Sequence, residues 1–324
     1  MWKGSPIILL LSFLCLFSQG QRIPNEAENI EFLVTFGSQS DKAWGDDDFS
    51  QVVFFTIPVA FNEPFFIRIF DPEVGGNHDE VNGVFDTYMR YNVYGGKGAH
   101  SNLAAQNVDP VPGYDSGILL SSKTFGVQDN YDSSWYSLGP FNPKDGEFLP
   151  ELGGYVFKVT VTGRQGDDGN LYYFFLSRNS QINRGIDGAN AFTYEYSFRM
   201  PEDSSIISHI YPFIDKNTVS LTQHNFDFDK AGNILVYSVS KNRHPARTSG
   251  DNHWSTSTHR VTEAERNTSY DLQISTNSSF QNDLVIHVKN QYNRAVGFYS
   301  IPIGGPPKYK YKVEINLTPG KPTQ

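Results

Sequence analysis

Only one cysteine, Cys15, occurs in the 324 residues, and it falls inside an N-terminal apolar run. Disulfides, thiolate metal centres and cysteine nucleophiles are therefore excluded for the rest of the chain. Positive charge is also scarce, with 26 Lys and Arg against 35 Asp and Glu and a net charge of -9. No basic field exists to gather nucleic acid or an anionic membrane, so nucleic acid is not an expected partner. After the first twenty residues there is no apolar run of the roughly 20 residues that span a bilayer, so no transmembrane segment is expected in the mature chain. A GxSxG elbow, an HExxH pair, a phosphate-cradling glycine loop and a dinucleotide fingerprint are all missing. Ser238-Val-Ser-Lys241 has SxxK spacing, but on an expected strand residues three apart face opposite sides.

The N-terminus has the plan of a secretory signal peptide: Lys3 supplies positive charge, Ile7 to Phe17 is apolar, and Ser18-Gln19-Gly20 offers small residues for cleavage. Cys15 follows Leu14, not the small residue that precedes a lipidated cysteine. Residues 1–20 are thus expected to be a leader, and the mature chain to reach the periplasm, the cell surface or the medium. The sequons at Asn267, Asn277 and Asn316 would matter only in a eukaryotic secretory pathway.

Aromatic residues are abundant, at 15% of the chain with 25 Phe and 18 Tyr, and they favour pleated, half-buried surfaces. From Asn29 onward, runs rich in Phe, Tyr, Val and Ile alternate with clusters of Gly, Asp, Asn or Pro, the rhythm of an antiparallel sandwich. The pattern predicts strands over 29–37, 51–57, 65–70, 87–94, 117–125, 134–138, 154–162 and 171–178. A polar stretch over 179–190 follows, and then strands over 191–199, 206–213, 219–228, 233–240, 257–262, 269–275, 283–289, 295–302 and 308–315. The expected fold is all-β: two tandem antiparallel β-sandwich (jelly-roll-like) domains, 21–180 and 191–318, after the leader. Tyr155 to Val161 and Leu171 to Leu176 read as a hairpin, and Phe192, Tyr194, Tyr196 and Phe198 as one apolar face opening the second core. Thr262 to Arg266 reads as a helical turn.

Acidic turns carry the candidate metal sites. FDPEVGGNHDEVNG, residues 70 to 83, places Asp71, Glu73, Asp79 and Glu80 in one glycine-bearing connection with oxygens enough for calcium, but without EF-hand spacing. Asn225, Asp227 and Asp229 alternate before a turn and form a second candidate set. Each has a plain alternative as a polar turn with solvated carboxylates. Trp44-Gly45-Asp46-Asp47-Asp48 reads as a solvated loop. If a cofactor exists, it is structural calcium.

For ligand binding, Trp254 stands among polar neighbours, with Asp251, Asn252 and His253 just before it, and Trp44 has a similar setting. An exposed indole beside such groups stacks on the CH face of a sugar while the polar groups take its hydroxyls; the alternative is that both rings lid the sandwich ends. Trp135 reads as core. The histidines 244, 253 and 259 match no standard zinc spacing.

Phe49-Ser-Gln-Val-Val-Phe-Phe, Phe66-Ile-Arg-Ile-Phe-Asp-Pro72, Tyr91-Asn-Val-Tyr-Gly-Gly96 and Ile301-Pro-Ile-Gly-Gly305 resemble uncharacterised secreted tandem β-sandwich proteins of Bacteroidetes-type bacteria. The first domain is loosely similar to pre-peptidase C-terminal domains. This resemblance implies an exported bacterial protein and carries no activity or site residue. The expected function is a non-catalytic binding module for a glycan or a surface partner, acting through end loops. A carbohydrate hydrolase using loop carboxylates and a purely structural surface component are the alternatives.

Overall fold

The computed structural model describes residues 21–108, 114–229, 232–277, 282–305 and 307. The expected leader, the strand expected over 308–315 and the sequon at Asn316 lie outside the described residues. The chain is all-β: among the described residues the helical segments are six short turns of 3₁₀ helix, one of them Glu263–Glu265 where a helical turn is expected. No helix among the described residues is long and apolar enough to cross a membrane.

Nine strands form the largest sheet. Its order is Trp254–Arg260, Ser220–Phe226, Asp283–Asn290, Glu195–Arg199, Leu33–Phe36, Gly169–Ser177, Phe65–Phe70 and Trp135–Phe141, with Arg22–Ile23 also on Gly169–Ser177. A seven-stranded sheet runs Phe298–Tyr299, Asn190–Thr193, Ser50–Pro58, Gly154–Gly163, Met89–Gly95 and Ile118–Phe125, with Glu147–Leu149 on Gly154–Gly163. Ser208–Ile210, Asp271–Thr276, Gly232–Tyr237 and His244–Ala246 make a third sheet, and Phe213–Ile214 pairs with Thr268–Ser269. All pairings are antiparallel.

The two larger sheets face each other across aromatic contacts: Tyr91 meets Tyr172 edge-on at 5.7 Å between ring centroids, and Phe55 meets Phe174 at 6.2 Å. Such pairs add about 0.5–1.5 kcal/mol beyond the area they bury. Leu221 and Ile286 of the nine-stranded sheet share this core with Ile234 and Ile274 of the third sheet.

Sheet and core both run across 179–190. Phe192 pairs with Phe54, and Phe198 pairs with Leu33, so the segment expected to open a second core is built into the first half. One buried cluster contains Ile23, Phe55 and Phe174 together with Tyr196, Leu272 and Phe298. The reason lies at Tyr194, where the chain leaves one sheet for the other. Phe192 and Tyr194 pack with Phe54 and Tyr299 in a separate small cluster, whereas Tyr196 and Phe198 enter the main core. The four aromatics therefore do not share a face. Similarly, Gly154–Gly163 and Gly169–Ser177 are not a hairpin but belong to different sheets, joined by a turn that Asp168 ties down through the backbone N–H groups of Asn82, Asp86 and Thr87. Trp135 is half-buried on the sheet's outer side, under the Arg68 guanidinium at 4.6 Å.

Candidate functional site

At one end of the nine-stranded sheet a cleft of about 240 Å³ opens between loops from both halves of the chain. Trp44 and Phe36 form its aromatic wall, with ring centroids 5.9 Å apart. The indole is carried by the 3₁₀ turn Lys42–Trp44, which Asp41 caps by accepting from Ala43 N–H at 3.0 Å. Gly45 ends that turn with φ of 90°, and a Cβ there would lie 2.6 Å from the Asp283 carbonyl oxygen. Only glycine lets the loop rest on the backbone of Asp283 and hold Trp44 over the cleft.

The other walls are acidic. Asp283 opens its strand and receives Arg199 in a two-pronged bond, Nε to Oδ1 and a terminal nitrogen to Oδ2, both 2.8 Å. Arg199 also binds Glu80, whose backbone pairs with Gly169. Through the part-exposed Glu80, the buried Arg199–Asp283 pair ties the 71–88 connection to the strands of the second half. Burial raises the Asp283 carboxyl and Arg199 lowers it; Glu80 is raised by burial and by Asp283 and lowered by Arg199. Asn82 bridges to Asp167 at 2.6 Å. Opposite them stand Asp227 and Asp229, which share a group of carboxylate oxygens within 4.8 Å with Asp251. Burial, then the neighbouring Asp229 and Asp251, push the Asp227 carboxyl up to about 7, although it accepts from Asn252 N–H at 2.6 Å. Asn282 hangs between the two acids, donating to the carbonyls of Asp227 and Asp283.

Expected site residues thus divide. Trp44, Glu80, Asp227 and Asp229 meet in the cleft. Trp254 is 40% exposed on the outer sheet face, over Phe226 and His287 at 5.2 and 5.1 Å, and is not among the cleft walls. Asp251, Asn252 and His253 form the exposed turn before it; His253 contacts the Asp251 carbonyl through Nδ1, and Asn252 serves Asp227.

The two candidate metal sets do not survive as written. Asn225 spends its amide on the Arg247 carbonyl and the Ser249 N–H, and Asp227, with φ of 63°, ends the extended alternation before Asp229. Asp79 accepts from Gly75 N–H and Leu171 N–H, and Glu80 is taken by Arg199, leaving Asp71 and Glu73 with Asp132 from a different loop. The Asp46 to Asp48 run is no solvated loop: buried Asp46 accepts from the N–H groups of Phe36, Asp48 and Phe49. Ser238 and Lys241 lie in a turn, where both bind buried Glu265 in a structural network.

Arg199, Asn82, Asp167, Asn282, Asp283 and Asp132 escape sequence reasoning. The one available signal is a charge at each end of an apolar alternation, Arg199 after Phe198 and Asp283 before Leu284. Compared with protein-family models, curated proteins and solved structures, the chain matches none.

Proposed function

We propose that the protein is an exported binding module whose acidic cleft takes a neutral or amino sugar at the end of a glycan. The observation that carries this reading is the union of one indole wall with the carboxylates of Glu80, Asp167, Asp227, Asp229 and Asp283 in one cleft. Carboxylates accept hydrogen bonds from sugar hydroxyls, the indole offers a surface for the CH face, and a wall of one sign rejects uronates and sulfated sugars. At about 240 Å³ the cleft is smaller than the roughly 300–1,000 Å³ of drug-sized sites, which favours a single ring over a long chain segment.

The test is a glycan array followed by calorimetry on wild type, Trp44→Ala and Trp254→Ala. Neutral or amino-sugar termini should bind, and Trp44→Ala should weaken them about two- to tenfold, the worth of one stacked aromatic contact. Trp254→Ala should change little. Wild-type affinity in Trp44→Ala, or a preference for acidic glycans, would refute the proposal.

A second reading, glycoside hydrolysis, is favoured by Asp227, whose carboxyl burial pushes up to about 7, in a cleft that also holds the carboxyls of Glu80, Asp167 and Asp283. Release of reducing ends from an array-positive oligosaccharide, abolished in Asp227→Asn, would establish it in place of simple binding.

A further inference from the structure

Four groups of carboxylates come within ligand distance of one another among the described residues. Hydrogen bonds account for two of them. Asp46 and Asp48 cap the backbone around them, and Asp168 of the Asp86, Asp167 and Asp168 group caps three N–H groups. The third, Asp227 with Asp229 and Asp251, is open to solvent through two of its members. The fourth is different. Asp71 and Glu73 are 0% and 1% exposed, and Asp71 Oδ2 and Glu73 Oε1 are buried with no hydrogen-bond partner.

We infer that Asp71, Glu73 and Asp132 form a binding site for a hard divalent cation, calcium foremost, which ties the turn after Phe65–Phe70 to the loop before Trp135–Phe141. Each buried acid spends one oxygen on the facing loop: Asp71 Oδ1 accepts from Ser133 N–H at 3.1 Å, and Glu73 Oε2 from Gln128 N–H at 2.6 Å. The second oxygens remain, and with Asp132 they give three carboxylates whose oxygens lie within 4.8 Å. No ion pair among the described residues involves any of the three. Buried carboxylate oxygens left without a partner are costly, and buried charge is ordinarily paired or metal-bound. Neighbouring acids make the field more negative. Burial, then Asp132 and Asp129, raises Glu73; burial raises Asp71 to about 7, with Asp132 and Glu73 adding to it.

Oxygen-only donors select calcium, magnesium or manganese over zinc or copper. His78, in the same turn, is not part of the converging group, and its ring packs against Phe32 at 5.2 Å. Irregular donors drawn from two loops suit calcium's six to eight ligands better than the strict octahedron of magnesium. The turn is shaped to approach the acids closely. Gly76 has φ of 72°, and a Cβ there would stand 2.2 Å from Asp132 Oδ1.

The experiment is thermal unfolding of the full mature chain, stripped with a chelator, against calcium, magnesium and manganese, for wild type, Asp132→Asn and Asp229→Asn. Calcium at about a hundredfold excess over its Kd should raise the wild-type Tm by roughly 4 °C. Asp229→Asn should respond as wild type does. Asp132→Asn should lose most of the response and, without metal, melt above stripped wild type because one repelling charge is gone; that second readout separates lost binding from failed folding. A wild-type Tm unmoved by all three metals to about 10 mM, far above the weakest protein calcium sites, would overturn the inference. So would an equal shift in Asp132→Asn, or a shift lost only in Asp229→Asn.

Discussion

Replacing Glu28 by Gln should make the protein more stable at neutral and alkaline pH and leave it unchanged in acid. Glu28 is fully buried at the end of the turn Glu26–Glu28. Its Oε2 accepts from Asn25 N–H at 2.6 Å, closing a capping box, and the Tyr196 hydroxyl reaches both oxygens at 3.0 and 3.1 Å. Burial pushes its carboxyl from 4.5 up to about 7, against the lowering influence of the Asn25 N–H, the Tyr196 hydroxyl and Arg22. At about 1.4 kcal/mol per tenfold change in proton affinity, that rise corresponds to roughly 3 kcal/mol. The folded chain keeps the proton until about pH 7, while the unfolded chain releases it near 4.5. Wild type therefore loses this stability as pH rises between those values and lacks all of it above them. Gln keeps the acceptor for Asn25 and can donate to the Tyr196 oxygen, yet carries no charge to desolvate. Urea unfolding of both proteins, followed by tryptophan fluorescence from about pH 4 to pH 8.5, isolates Glu28 because every other titrating group cancels in the difference. The gain of Glu28→Gln over wild type should climb from near zero to about 3 kcal/mol, most steeply between pH 5 and pH 7. A gain that does not vary with pH, or one that shrinks as pH rises, would show that burial of this carboxyl is not what raises it.

Three further outcomes follow from the seam between the halves. Arg199→Met should cost about 3–5 kcal/mol in urea unfolding by stranding Asp283 and Glu80, and adding Asp283→Asn should recover part of the loss. Gly45→Ala should cost at least about 1 kcal/mol, since φ of 90° and the Asp283 carbonyl both oppose a Cβ, and it should weaken glycan binding as Trp44→Ala does. Calorimetry should show one unfolding transition, which Phe198→Ala moves as a whole by about 3–5 kcal/mol; two separable transitions would contradict a core shared across 179–190.

Strand positions were largely legible. Phe65–Phe70 coincides with its expected bounds, and Ser50–Pro58, Ile118–Phe125 and Asp283–Asn290 lie within a residue or two of expectation. Short strands such as Glu147–Leu149 and His244–Ala246 escaped, because two or three residues carry no periodicity. Pairing partners were not legible either. Alternation tells which side chains share a face only while the strand stays in one sheet, and the crossing at Tyr194 ends that condition without a glycine or proline to mark it.

The site divides in the same way. Composition and local pattern determined an acidic, aromatic β-protein with a single cysteine and with tryptophans and carboxylates in its loops, because side-chain chemistry and a two-residue period are local properties. Tertiary structure alone decided that Trp44, Glu80, Asp227 and Asp229 share a cleft, that Trp254 stands apart, and that Asp132 joins Asp71 and Glu73. Those meetings depend on sheet register and on Arg199 bridging residues 80 and 283. Contacts between residues so distant in the chain are set by how the whole core packs, which no local pattern encodes.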